Sequence, residues 1–102
     1  MKKIALCCAA GMSTSMLVKK MRDSATTRGI DISIDAFPIA EFKHVIEAND
    51  CVLLAPQVCF KLDDFAALAA PLNKKVALIS FLDYGTMNGA NVLDLGLQLI
   101  SE

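Results

Sequence analysis

The stretch "IALCCAAGMSTSMLVKKM", residues 4–21, changes character twice. Ile4 to Cys8 is an unbroken apolar run of strand length, and Ala9 to Ser15 are small, flexible or hydroxylated. Beyond them Leu17, Val18, Met21 and Ala25 recur at helical spacing, with Lys19, Lys20, Arg22 and Asp23 on the other face. Gly29 is placed to stop that helix. Strand, loop, amphipathic helix is the opening of a βαβ unit.

The remainder repeats the theme. Apolar runs "IDISIDAF" (30–37), "CVLLA" (51–55) and "VALISF" (76–81) are each followed by a helical stripe: Ile39, Phe42, Val45 and Ile46; Val58, Leu62, Phe65 and Ala69; Leu93, Leu97 and Ile100. Pro38 suits the first turn of the second helix. Four alternating strand–helix pairs predict an α/β fold: a parallel four-stranded sheet between two helical layers. Strands one, three and four read as buried on both faces. Strand two alternates Ile30, Ile32 and Ile34 with Asp31, Ser33 and Asp35, so it has one wet face or sits at an edge. Right-handed crossovers then favour the order 2-1-3-4. Residues 1–102 are expected to form one three-layer αβα domain, like flavodoxins and low-molecular-weight phosphatases.

Composition narrows the function. With 55% hydrophobic residues the chain has a core to bury, and with ten basic and eleven acidic residues it has no general attraction to nucleic acid or anionic lipid. Cys7, Cys8, Cys51 and Cys59 include no C-x-x-C, and the sole histidine, His44, is remote from them, so neither a zinc site nor a disulfide framework is expected. Reduced thiols point to a reducing compartment. "MKKIALCCAA" begins like a secretory leader, but its apolar run is short, Leu6 rather than a small residue precedes Cys7, and the chain runs straight into an amphipathic helix. No run approaches the ~20 apolar residues of a membrane span, so no membrane insertion is expected.

In such sheets ligands gather beyond the carboxyl ends of the strands. The loops expected there are Cys8–Ser15, Phe37–Pro38, "APQVC" (55–59) and "LDYGTMNG" (82–89). Gly11 permits close backbone approach, and amides from Ala9 to Ser15 can converge with the amino end of the helix on a phosphate dianion, without a basic side chain. Ser13, Thr14 and Ser15 add hydroxyls. The same field favours the thiolate of Cys8, a nucleophile for phosphorus, provided the sulfur is open to solvent. Cys7 points to the other face of the strand and reads as core. Cys51 and Cys59 also read as structural, although Cys59 lies near the site.

"CCAAGMSTSMLVKKMR" (7–22) resembles the phosphocysteine loop of the enzyme IIB components of the bacterial sugar phosphotransferase system, of the lactose/cellobiose/chitobiose type (type 3). "IDAFP" (34–38), "VLLAPQV" (52–58) and "DYGTMNG" (83–89) resemble later landmarks of that family in order and spacing. The resemblance implies that Cys8 takes a phosphoryl group from a phosphohistidine of a IIA component. Cys8 then gives it to a sugar on the membrane-embedded IIC component, a β-disaccharide such as cellobiose, chitobiose or lactose. It implies phosphate binding by Ala9, Ala10, Gly11, Met12, Ser13, Thr14 and Ser15, and partner docking or loop shaping by Pro56, Gln57, Val58 and Tyr84. It also implies a cytoplasmic protein that meets the membrane through IIC, with neither metal nor cofactor.

Other readings fit less well. A tyrosine phosphatase of this layout has an arginine where this chain has Thr14, and Asp83 lacks the proline that follows that family's acid. A flavodoxin-like module needs aromatic walls, and the chain has no Trp and one Tyr. A response-regulator receiver needs acidic residues that the ends of strands one and three lack. His44 reads as a surface or half-buried residue and not as a phosphate acceptor. Met12 and Met16 suit either docking or packing, and Lys19, Lys20 and Arg22 a solvated face or an acidic partner.

Overall fold

A computed structural model of the chain describes residues 1–9 and 14–101. Four parallel strands, β1 (Lys2–Cys8), β2 (Ile32–Pro38), β3 (Cys51–Leu54) and β4 (Lys75–Leu78), form one sheet in the order β2-β1-β3-β4. The expected order is therefore found. The register pairs Cys8 with Pro38 and Cys7 with both Phe37 and Leu54, while Leu54 pairs with Leu78, so all four strands point their carboxyl ends to one rim. Helices α1 (Ser15–Thr27), α2 (Phe42–Ala48), α3 (Leu62–Ala69), α4 (Phe81–Gly85) and α5 (Gly89–Ser101) follow the strands. Short 3-10 segments at Ile39–Glu41, Pro56–Lys61 and Ala70–Leu72 join them.

The pleat of β1 divides the core. Ile4 and Leu6 pack with Leu17, Val18, Met21, Val92 and Leu93 of α1 and α5, whereas Ala5 and Cys7 pack with Phe42, Val45, Ile46 and Phe65 of α2 and α3. Each large aliphatic chain so buried contributes roughly 1.5–3 kcal/mol. The Phe42 and Phe65 rings stack with centroids 3.8 Å apart and hold α2 to α3. Cys8 joins the α2–α3 cluster together with Cys7, although strict alternation assigns them opposite faces. Alternation governs residues inside a strand, and Cys8 is the last of β1.

The stripe Leu17, Val18, Met21 and Ala25 is the buried face of α1. Gly29 ends it with φ +68°, and the amide of Ile30 donates back to the Ala25 carbonyl. Other expectations are corrected. Pro38 closes β2 and does not enter a helix. β4 is not buried on both faces; as the outer strand opposite β2 its residues are partly exposed. Its run also stops at Leu78, because Ser80 caps α4 by accepting from the Asp83 amide at 3.1 Å. Asn88 then accepts from the Asn91 amide at 3.0 Å and starts α5. The edge strand β2 is guarded by Arg22, whose guanidinium donates to the Ile34 carbonyl and pairs with Asp35 at 2.7 Å.

Candidate functional site

Cys8 ends β1 at the carboxyl rim, and Thr14 stands directly before α1. The Cys8 Sγ and Thr14 Oγ1 atoms are 3.4 Å apart, within hydrogen-bonding reach, and Thr14 is 0% exposed. The chain thus leaves the sheet at Cys8 and returns six residues later with a hydroxyl beside its sulfur. Ala9 and Ser15 are exposed on either side. Four of the expected phosphate-binding residues, Ala10, Gly11, Met12 and Ser13, lie outside the described residues. The expectation of a solvent-facing sulfur is not met: Cys8 is 3% exposed, packed with the α2–α3 core.

The four thiols separate by environment. Burial pushes Cys7 from the ordinary 9.0 up to about 12, with Cys8 and Glu41 adding electrostatic repulsion. Burial likewise pushes Cys51 to about 12, with Asp50 adding to it. Both stay protonated and inert at neutral pH, as core cysteines do. Cys59, read from sequence as structural, is exposed. The reason is the 3-10 segment Pro56–Lys61, which turns Pro56 and Val58 inward and leaves Gln57, Cys59 and Phe60 outside.

Pro56 and Val58 therefore act by packing, and the Ala55 amide ties their loop to the Cys7 carbonyl at 3.0 Å. Gln57 is exposed. Tyr84, on α4, is half-buried and touches both halves of the core. Asp83 accepts from the Asn91 side chain at 3.2 Å. His44 is exposed on α2, in a shallow groove with Lys43, Lys61 and Phe65. Among the described residues, no three His, Cys, Asp or Glu side chains are grouped to hold a metal, and no helix is long and apolar enough to cross a membrane.

Sequence reasoning singled out Met16 but missed the rest of an apolar rim. Phe60 follows β3, Phe81 and Leu82 follow β4, and they are 70–74% exposed; Met16, on α1 after β1, is 50% exposed. All four are on segments that follow the carboxyl ends of strands. The clue was present in "SFLD" (80–83): a Ser-x-x-Asp cap marks Phe81 and Leu82 as first-turn helical residues and not strand core. The guanidiniums, by contrast, are engaged elsewhere. Arg22 binds Ile34 and Asp35, and Arg28, the second of the sequence's two arginines, pairs with Asp94 at 2.7 Å.

Fold and site together define a class: parallel α/β domains that place a cysteine where the first strand ends and the first helix begins. Within that class the chain belongs to the family described as "PTS system, Lactose/Cellobiose specific IIB subunit", whose model matches residues 3–95. It is thus a IIB component of the sugar-transporting phosphotransferase system. It is 40% identical over 105 residues to a galactose-specific EIIB component of Lactococcus lactis subsp. cremoris, and 35% over 100 residues to an oligo-beta-mannoside-specific EIIB component of Bacillus subtilis. Each alignment covers 98% of this chain and 97% of the relative. The solution structure of a cellobiose-specific IIB component from Borrelia burgdorferi superposes with a TM-score of 0.82 at 37% identity, covering 98% of this chain and 92% of that one. A lactose-specific IIB domain from Streptococcus pneumoniae has a TM-score of 0.86 at 16% identity, over 96% of each chain, and shares the fold.

Proposed function

We propose that this IIB component carries phosphoryl groups on Cys8. The Cys8 thiolate attacks the phosphorus of a phosphohistidine on a IIA component. The S–P bond forms as the P–N bond breaks, and the departing imidazole takes up a proton. A hydroxyl of a sugar held by a membrane IIC component then attacks the same phosphorus. The O–P bond forms, the S–P bond breaks, the thiolate is regenerated, and the hydroxyl proton leaves to solvent or a base on IIC. Cytoplasmic residence against the membrane component follows from these partners.

The observation that carries this reading is the position of Cys8, at the end of β1 and facing Thr14 directly before α1, in a chain of the IIB family. Amides of the segment 9–15 and the helix dipole suit a dianion there. With both arginines paired elsewhere, transition-state charge has no guanidinium partner from this chain, which favours a persistent phosphocysteine over hydrolysis. Because Cys8 is only 3% exposed, its cover yields when the donor docks. The rim of Met16, Phe60, Phe81 and Leu82, with Gln57, is the docking surface, and the buried Pro56 and Val58 shape its floor. The sugar is a β-linked disaccharide, in keeping with the lactose/cellobiose family and its cellobiose-specific relative from Borrelia burgdorferi.

Incubation with a phosphorylated IIA donor, followed by mapping of the modified peptide at neutral or alkaline pH, tests the assignment. Label is expected on Cys8 and absent from Cys8→Ser. Label on His44, or undiminished label in Cys8→Ser, overturns it.

A further inference from the structure

Threonine before a helix ordinarily caps it, its hydroxyl accepting from an amide of the first turn. Thr14 does not: its backbone is helical (φ −89°, ψ −12°), its side chain makes no capping bond, and its carbonyl engages α1, accepting from the Val18 amide at 2.9 Å. The hydroxyl lies instead 3.4 Å from the Cys8 sulfur, and the whole residue is 0% exposed. A β-branched side chain has few rotamers and, buried, has little room to change them, so this direction is held.

We infer that Thr14 is the positioning residue of the nucleophile: its hydroxyl donates to the ionised sulfur of Cys8 and fixes the sulfur's aim. The inference rests on the phosphocysteine reading and departs from it in one respect, giving Thr14 to the sulfur rather than to the phosphate. While the sulfur is a thiol, either atom can donate. Once it is a thiolate, only the hydroxyl can, and the bond becomes charge-assisted, roughly twice as strong. The contact therefore holds the sulfur at the place where the thiolate is needed. When sulfur forms its bond to phosphorus its charge is lost and the bond weakens, so Thr14 stabilises the waiting nucleophile more than the phosphorylated form.

The test needs no donor protein. In a Cys59→Ser background, which removes the exposed competing thiol, the rate of Cys8 carboxamidomethylation by iodoacetamide is followed against pH by peptide mass spectrometry. Thr14→Val keeps the shape without the hydroxyl, and its profile is expected to move to higher pH by about one unit, with Thr14→Ser returning it towards wild type. Thr14→Ala serves the same purpose if the valine variant does not fold, as judged by circular dichroism. A Thr14→Val profile that superimposes on wild type overturns the inference. So does a folded Thr14→Ser that behaves like Thr14→Val, since the methyl and not the hydroxyl would then matter. Failure of a IIA donor to label wild-type Cys8 would instead sink the relay and leave this profile standing.

Discussion

A methyl group added to Gly89 would fall 2.5 Å from the carbonyl carbon of Lys20, because the amino end of α5 runs directly against the backbone of α1. Backbone cannot step aside as a flexible side chain can, so this glycine sets how closely the two helices approach on that side of the sheet. Gly89→Ala is expected to cost about 3 kcal/mol, near the upper end for overpacking. Gly85→Ala, whose methyl meets nothing within 4 Å, is expected to be nearly neutral. Urea midpoints followed by circular dichroism compare the two. Equal losses would show that the α1–α5 contact is not what makes Gly89 necessary.

Stability is expected to fall in alkali through Cys7 and Cys51. In the unfolded chain these thiols ionise near the ordinary 9.0, while in the fold both are raised to about 12, first by burial. Between those values the folded state binds more protons than the unfolded one. Their contribution is thus complete below pH 9 and is lost progressively towards pH 12. The slope reaches about 1.4 kcal/mol per pH unit for each thiol. Denaturation midpoints at pH 8 to 11 should decline, and less steeply in Cys51→Ala. A variant profile parallel to that of wild type would contradict the assignment.

Lys74 closes α2 from outside. Its ammonium donates to the Ile46 and Glu47 carbonyls, each at 2.9 Å, where the last turn of the helix has no amides of its own to offer. Lys74→Met retains most of the stem and removes the donors, and is expected to cost about 1–2 kcal/mol. Amide exchange should quicken at the carboxyl end of α2 and in the turn before β4 sooner than elsewhere. Uniform acceleration across the sheet would point to a different role.

Replacing Phe81 and Leu82 together by serine should weaken docking without weakening the fold, since both are 74% exposed. KM for the phosphorylated IIA donor is expected to rise about tenfold with kcat little changed, the scale of losing one good apolar anchor. Leu72→Ser, 42% exposed beyond α3 and before the amino end of β4, is the matching control at the far end of the sheet. A rise in KM for Leu72→Ser equal to that of the double variant would remove the rim from the interface.

Periodicity made the layers legible before any coordinates. The apolar run Ile4–Cys8 and the stripe Leu17, Val18, Met21 and Ala25 can be buried together only by a strand and helix packed face to face, and the alternation in β2 suits an edge. What the local pattern did not carry was the meaning of apolar residues at the ends of strands. Val76–Phe81 reads as one buried run, yet β4 is an outer strand, the Ser80 cap turns the chain, and Phe81 faces solvent. Cys59 and Cys51 look alike in sequence, and only a 3-10 turn separates an exposed thiol from a buried one.

By itself the sequence determined the order of elements, the parallel sheet and the cysteine at the end of its first strand, because spacing along a chain is enough to specify which faces must be covered. Tertiary structure alone decided that the Cys8 sulfur is enclosed, that Thr14 turns to it instead of capping α1, and that both arginines are paired away from it. The physical reason is distance. Hydrogen bonds and ion pairs depend on ångström separations between residues that only folding brings together, and no one-dimensional pattern encodes those separations.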